Sequence, residues 1–414
     1  MFDRFLKNPH ALARQQNGPL VVDRRRYLAH CMKQQLSWET LRGTASYILL
    51  IAQELRLAER PGELVTLEEI EAAANRWVNR PRPRERDLRL HSFTGHAVRW
   101  LTFLGRLQRP AVVQPYADYV AQYTEYLLRE RGLTRQTVEH RRSVLNSLLA
   151  QLAESKRRLR TLTVAQVDEL LRRKLHKGRY SRTTVQGWAY NLRAFFRFAE
   201  ERGWCRKGLA AAIMAPRVYA RENIPAGPSW DEVKRLLATT EGDHPTNIRD
   251  RALLLLLVVY GLRAGEVTKL RLKDFDWERE LLTVRSGKLQ PPRTYPLCRP
   301  VGDAVLRYLS EVRPRSELRE VFLTRVAPFR PLASDGLGEV VRRRLKALGL
   351  KIFGHAGSHS LRHACATHLL ARGLSLKEIG DHLGHHSPEA TRVYAKVDLN
   401  SLRLVGEFEL EGLL

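Results

Sequence analysis

The chain has 414 residues, and its 71 Lys and Arg against 44 Asp and Glu leave a formal net charge of +27. With 43% hydrophobic and 28% charged residues, a wholly disordered or fibrous chain is excluded, and there is length for roughly two to four domains of about 100–200 residues. The charge points to a polyanionic partner, nucleic acid before an anionic membrane surface, because the longest apolar run, Ala252 to Tyr260, falls far short of the roughly 20 residues that span a bilayer.

The first region runs to about residue 110. Its apolar-periodic stretch from Trp38 to Leu57 is followed by a helix that Thr66 caps and that reaches Trp77 through Glu68 and Glu69. Asn79 to Leu90 is broken by prolines and reads as a basic linker or exposed loop, and a further helix over Gly95 to Leu107 precedes Pro110. Arg24 to Arg26 and Arg80 to Arg86 suit contact with DNA or with a partner subunit. The early residues, with Arg4, Lys7 and Arg14, hold no apolar signal-peptide segment, so the expected location is the cytoplasm.

The second region, residues 111–205, reads as four helices: Tyr116 to Arg131, Arg135 to Glu154, Val164 to His176 and Thr183 to Arg202. Thr134, Thr163 and Ser181 stand at N-cap positions, and Leu145, Leu148, Leu149 and Leu152 form a core-facing stripe. Arg135, Arg141 and Arg142 on one helix, with Arg182, Arg193 and Arg197 in or near another, are candidate phosphate contacts. Residues 206–228 carry basic residues and Pro216, Pro225 and Pro228 without an apolar period, and read as a basic linker between domains.

The third region, residues 229–400, opens with helices over Trp230 to Leu237, Asn247 to Tyr260 and Ala264 to Leu270. Three short strands follow, at Phe275 to Asp276, Leu281 to Val284 and Thr294 to Leu297. Helices return over Val301 to Val312, Gly336 to Leu348, Ser360 to Ala371, Leu376 to Leu383 and Pro388 to Tyr394. The fold class is therefore mainly α with one small antiparallel sheet, an α+β domain behind two helical regions. A tail, residues 401–414, mixes Glu407, Glu409 and Glu411 with apolar residues.

Three clusters in this third region carry chemistry. In Gly261-Leu262-Arg263-Ala264-Gly265-Glu266, Arg263 stands at a corner between helices, where Glu266 can orient it. In His359-Ser360-Leu361-Arg362-His363, a helix start puts His359 and Arg362 on one face. In Leu383-Gly384-His385, a glycine ends a helix, and the next helix, with Ser387 and Pro388 at its start, delivers Tyr394 nine residues after His385. Zinc is the rival use for so many histidines. There is no HExxH, His363 and His368 do not share a face, and Cys31, Cys205, Cys298 and Cys365 lack CxxC spacing, so no metal is expected. His363 and His368 read as packing residues.

Taken in order, Gly261-Leu262-Arg263-x-x-Glu266, His359-x-x-Arg362-His363, Leu383-Gly384-His385 and Tyr394 resemble the signature of the tyrosine recombinase (phage integrase) family. The resemblance covers the third region, and the helical second region resembles the family's core-binding domain. It implies an active site of Arg263, Lys288, His359, Arg362, His385 and Tyr394, with Lys288 on a β-hairpin and Glu266 behind Arg263. It implies site-specific DNA recombination by transesterification, with Tyr394 as nucleophile, His359 taking its proton, Lys288 as general acid, and no cofactor. It further implies double-stranded DNA with recombination sites as partner, a clamp of two basic domains around it, a homo- or hetero-tetramer assembled there, and a tail that docks on the neighbouring subunit. Two other readings share the residues: relaxation of supercoils by a type IB topoisomerase-like enzyme, and a non-catalytic DNA-binding regulator.

Overall fold

Helix starts are set by short polar side chains that take up free N–H groups, and helix bodies by apolar faces that must be covered. The computed structural model describes residues 2–79, 86–108, 116–153, 159–176, 180–218, 227–285, 291–350, 357–385 and 387–394. They fall into two compact units, one of residues 1–109 with 223–414 and one of 110–222.

Residues before 110 form α1 (Pro9–Asn17), α2 (Val21–Lys33), α3 (Trp38–Glu54), α4 (Leu67–Val78) and α5 (Arg86–Phe103). A reciprocal capping box between Thr66 and Glu69 starts α4. Leu28, Ile48, Ile51, Ile70, Phe93 and Trp100 lie at the centre of their shared core. One expectation is corrected: α5 begins at Arg86, inside the segment read as a loop. Buried Phe93, Ala97, Trp100 and Leu101 hold its inner face. Helices α1 and α2 lie ahead of the first stretch that the sequence reading assigned.

The second unit holds α6 (Ala117–Arg129), α7 (Arg135–Ala153), α8 (Val164–His176), α9 (Arg182–Glu201) and the short α10 (Leu209–Ala212). Leu145, Leu148 and Leu149 of α7 meet Leu192, Phe195 and Phe196 of α9 in one core. The expected linker over 206–228 is entered by α10, because Leu209, Ala210 and Ile213 are apolar enough to close the end of this bundle.

Residues from 227 onward begin with α11 (Trp230–Ala238) and α12 (Pro245–Val259). Helix α12 is buried on nearly every side along Ala252 to Val258 and is the central element of the largest core. It leads to the short α13 (Ala264–Val267), which stops earlier than expected, and to a sheet of β1 (Phe275–Asp276), β2 (Leu281–Val284) and β3 (Arg293–Pro296). The strands are antiparallel in the order β1-β2-β3, with Leu282 opposite Tyr295 and Val284 opposite Arg293. The helix expected over 301–312 is α14 (Arg299–Arg307) followed by a wider π-type turn at Tyr308–Val312. Then come α15 (Ser334–Ala347), α16 (Ser358–Ala371), α17 (Leu376–Leu383) and α18 (Pro388–Arg392).

Candidate active site

Gly261 ends α12 with φ +59, and a Cβ placed there would lie 2.3 Å from Leu383 Cδ2, so both backbone and space call for glycine. Two residues later Arg263 opens α13. Its backbone N–H donates to Glu266 Oε2 at 2.8 Å, its Nη1 donates to Glu266 Oε1 at 3.0 Å, and its Nη2 donates to the Gly384 carbonyl at 3.2 Å. Glu266 is 6% exposed, and its Oε1 also accepts from Arg293 Nη2 at 2.8 Å. One buried carboxylate thus aligns two guanidiniums.

Arg362, in the first turns of α16, is only 2% exposed. Its Nη1 donates to the Gly261 carbonyl at 2.5 Å and its Nη2 to the Leu383 carbonyl at 2.9 Å. Burial, and after it the neighbouring Arg263, pulls its pKa down to about 10, which leaves it cationic at pH 7. The two carbonyls belong to the residues just before Leu262-Arg263 and just before Gly384-His385. One side chain therefore ties the three clusters together.

Tyr394, which follows α18, is 1% exposed, and its Oη lies 2.9 Å from His363 Nδ1. Burial pushes the phenol up to about 12 against the pull of Arg362 and Arg263. Burial foremost, then the charges of His359, Arg362 and His385, brings His363 down to about 4. His385 hydrogen-bonds Thr391 Oγ1 through Nδ1 at 2.6 Å, and its ring lies parallel to that of Tyr394 with centroids 6.4 Å apart. Burial, with Arg362 and Arg263 next, brings His385 to about 4 as well. The His359 ring meets His363 edge-on, 4.4 Å between centroids. His368 stacks flat on Trp230 at 3.7 Å.

Arg263, Glu266, His359, Arg362, His385 and Tyr394 are thus brought into one cluster, while Lys288 lies outside the described residues. Two further members had no site role in the sequence reading. His363, read as a packing residue, is hydrogen-bonded to the phenol. Arg293 donates to Glu266, to Tyr295 Oη at 2.6 Å and to the His382 carbonyl at 3.2 Å. The signal for Arg293 was strand alternation, which puts it on the inner face with buried Tyr295. Gly384 adopts φ +66, and a Cβ there would meet Arg293 Cζ at 2.4 Å, so this glycine leaves room for that guanidinium.

The six arginines of the helical bundle behave differently from one another. Arg135, Arg182 and Arg197 are exposed. Arg142 is exposed and paired with Glu139 at 2.6 Å, and Arg141 is half-buried. Arg193 is half-buried; its Nε donates to the Ile213 carbonyl at 2.8 Å and its guanidinium lies over the Tyr190 ring. It ties the segment after α10 to α9.

Comparison with known proteins places this arrangement. Residues 229–400 match the Phage integrase family, and residues 120–203 match the phage integrase N-terminal SAM-like domain. The tyrosine recombinase XerA of Thermococcus kodakarensis is 34% identical over 56% of this chain and 77% of its own length. The tyrosine recombinase XerC of Syntrophus aciditrophicus is 29% identical over 70% of this chain and 96% of its own. A Sinorhizobium fredii protein classed provisionally as integrase/recombinase y4rA is 37% identical over 69% of each chain. Among solved structures, a lambda integrase dimer bound to a COC′ core site superposes with a TM-score of 0.54 at 20% identity, over 75% of this chain and 87% of that one. The XerH recombinase bound to a palindromic difH substrate gives 0.53 at 17% identity, over 83% and 96%. These last two likenesses are of fold. The two family matches, the relatives and a cluster that joins Arg263 and Arg362 to Tyr394 lead to one conclusion: the chain belongs to the phage integrase family and is a tyrosine-type site-specific recombinase.

Proposed function

We propose that the protein cuts and rejoins duplex DNA at the recombination sites of a mobile element, through a 3′-phosphotyrosyl link to Tyr394. The observation that carries this reading is Arg362, a buried cation that spends two N–H groups on backbone carbonyls beside Arg263 and Tyr394. In-line attack on a phosphodiester adds negative charge to the two non-bridging oxygens. Arg263 and Arg362 supply the opposing charge from a frame that does not reorganise during the reaction. Removing one such fixed donor typically costs about 3–4 kcal/mol, or roughly 100- to 1000-fold in rate. His385, held by Thr391, supports the phosphate or the phenol, and His359 stands beside them. Lys288 supplies the proton to the departing 5′ oxygen. The phosphotyrosyl bond conserves the energy of the broken strand, so a new 5′ hydroxyl can reverse the step without a nucleotide.

Exposed Arg135, Arg182 and Arg197 would hold the phosphate backbone of the duplex. The active assembly would be a tetramer on paired sites in the cytoplasm; residues 401–414, for which docking on the neighbouring subunit is expected, lie outside the described residues. Among the described residues no helix is long and apolar enough to cross a membrane. The test uses a library of nicked duplexes with randomised cores. Adducts that survive SDS are expected with the wild-type protein and absent with Tyr394→Phe; adducts with Tyr394→Phe would overturn the reading. Plasmid relaxation without any preferred site would favour the topoisomerase reading instead, and binding without adducts the regulator.

A further inference from the structure

We propose that His363, the residue after Arg362, takes the phenolic proton of Tyr394 as that oxygen attacks the scissile phosphate. The inference rests on the recombinase reading and moves the proton acceptor from His359 to a residue that the family resemblance did not assign.

The geometry is direct. His363 Nδ1 lies 2.9 Å from Tyr394 Oη, within the reach a proton-transferring base needs. His385 presents Nδ1 to Thr391 and lies ring-parallel to Tyr394, while His359 meets the edge of His363 itself. Tyr394 and the Arg362 that precedes His363 are both nearly inaccessible, so little water competes for the proton. With the phenol donating, Nδ1 is the bare nitrogen and the neutral ring carries its proton on Nε2. The groups facing His363 are His359 and Arg362 from its own helix, His385 from the end of α17 and Tyr394 after α18. Among them a free imidazole stays neutral, the form that can accept. A bound phosphate adds negative charge beside these cations and makes the ring more basic at the moment of attack.

The step balances. The Tyr394 O–H bond breaks and its proton passes to Nδ1, while the oxygen lone pair forms the O–P bond. The bond from phosphorus to the 5′ oxygen breaks, and that oxygen leaves with a proton from the general acid. In religation the imidazolium returns its proton to the phenolate as the 5′ hydroxyl attacks. An imidazolium close to Arg362 is costly, which favours that return.

Single-turnover adduct formation on a nicked duplex selected from the library tests the assignment, with wild type, Tyr394→Phe, His363→Asn and His363→Ala compared after checks of melting and duplex affinity. Asn can accept the phenolic hydrogen bond but cannot take the proton. Both His363 variants are expected to bind the duplex and to cleave at least about 100-fold more slowly, as loss of a general base does. The defect should persist when sulfur replaces the bridging 5′ oxygen, since a thiolate leaves without an acid. In wild type, cleavage of that 5′-thio duplex should slow in D2O, a reading that depends on no variant folding. His363→Asn cleaving within about threefold of wild type would overturn the proposal, given that general bases contribute far more. So would a defect that vanishes on the 5′-thio duplex, or a rate unchanged in D2O. Adducts formed by Tyr394→Phe would instead overturn the recombinase reading itself.

Discussion

Arg362 donates to the main-chain carbonyl of Gly261 at 2.5 Å, across 101 residues of chain. Its second bond, to Leu383, closes the other side of the pocket. Arg362→Lys keeps the charge but cannot make both bonds from one planar group, and Arg362→Ala leaves two buried carbonyls unpaired at about 1–3 kcal/mol each. Both variants should melt earlier in calorimetry, Ala by more, and neither should form measurable adduct. A Lys variant that cleaves like wild type would show that the fork geometry is dispensable.

Gly384→Ala combines two penalties: the left-handed backbone, at about 1–2 kcal/mol, and a collision with the Arg293 guanidinium. Gly373 has φ +88 with open space where its Cβ would stand, so Gly373→Ala pays only the first. A larger loss of Tm is expected for Gly384→Ala than for Gly373→Ala, and a fall in cleavage rate only for Gly384→Ala. Equal activity would mean that Arg293 does not matter to the chemistry.

Glu266 holds Arg263 and Arg293 with one carboxylate. Glu266→Gln weakens charge-assisted bonds worth about 1.5–3 kcal/mol, and cleavage should drop roughly 10- to 100-fold, with duplex affinity nearly unchanged. A drop in affinity alone, measured by fluorescence anisotropy, would assign the carboxylate to binding instead.

His363 and His385 sit near pKa 4 when folded, and burial is the first cause in both. The unfolded chain, with histidines near the usual 6.5, therefore binds more protons between about pH 4 and 6.5. Stability rises with pH across that window and is lost as pH falls through it. The melting midpoint is expected to fall from pH 7 to pH 5, and the fall should be shallower in His385→Asn. An unchanged slope in that variant would place its imidazole in water.

The bundle arginines separate by role. Arg135→Ala, Arg182→Ala and Arg197→Ala should each reduce the slope of log K against log salt by about one, as loss of a phosphate contact does. Arg193→Ala removes the bond to Ile213 and should lower stability with little change of slope. The reverse pattern would make Arg193 the DNA contact.

Much of the fold was legible because the forces behind it are local. Ser181, Ser229 and Ser375 cap α9, α11 and α17 through backbone groups three residues on, and the leucines of α7 repeat at helical spacing. What failed to show was also physical. Helices α1 and α2 are more polar than α3, and the proline-rich sequence before Arg86 drew the loop reading over the start of α5.

The sequence by itself determined the chemistry that short stretches of chain can spell: an Arg with its Glu one turn on, a His and an Arg on one helical face, a Gly that ends a helix before His385, and a Tyr after the next helix. It pointed to a polyanionic partner through a charge of +27. Only the tertiary structure decided how these pieces meet. The bonds of Arg362 to Gly261, Arg263 to Gly384 and His363 to Tyr394 cross 101, 121 and 31 residues. Contacts at that range depend on how α12, α16 and α17 pack, and no spacing along the chain encodes which of two neighbouring histidines will face the phenol.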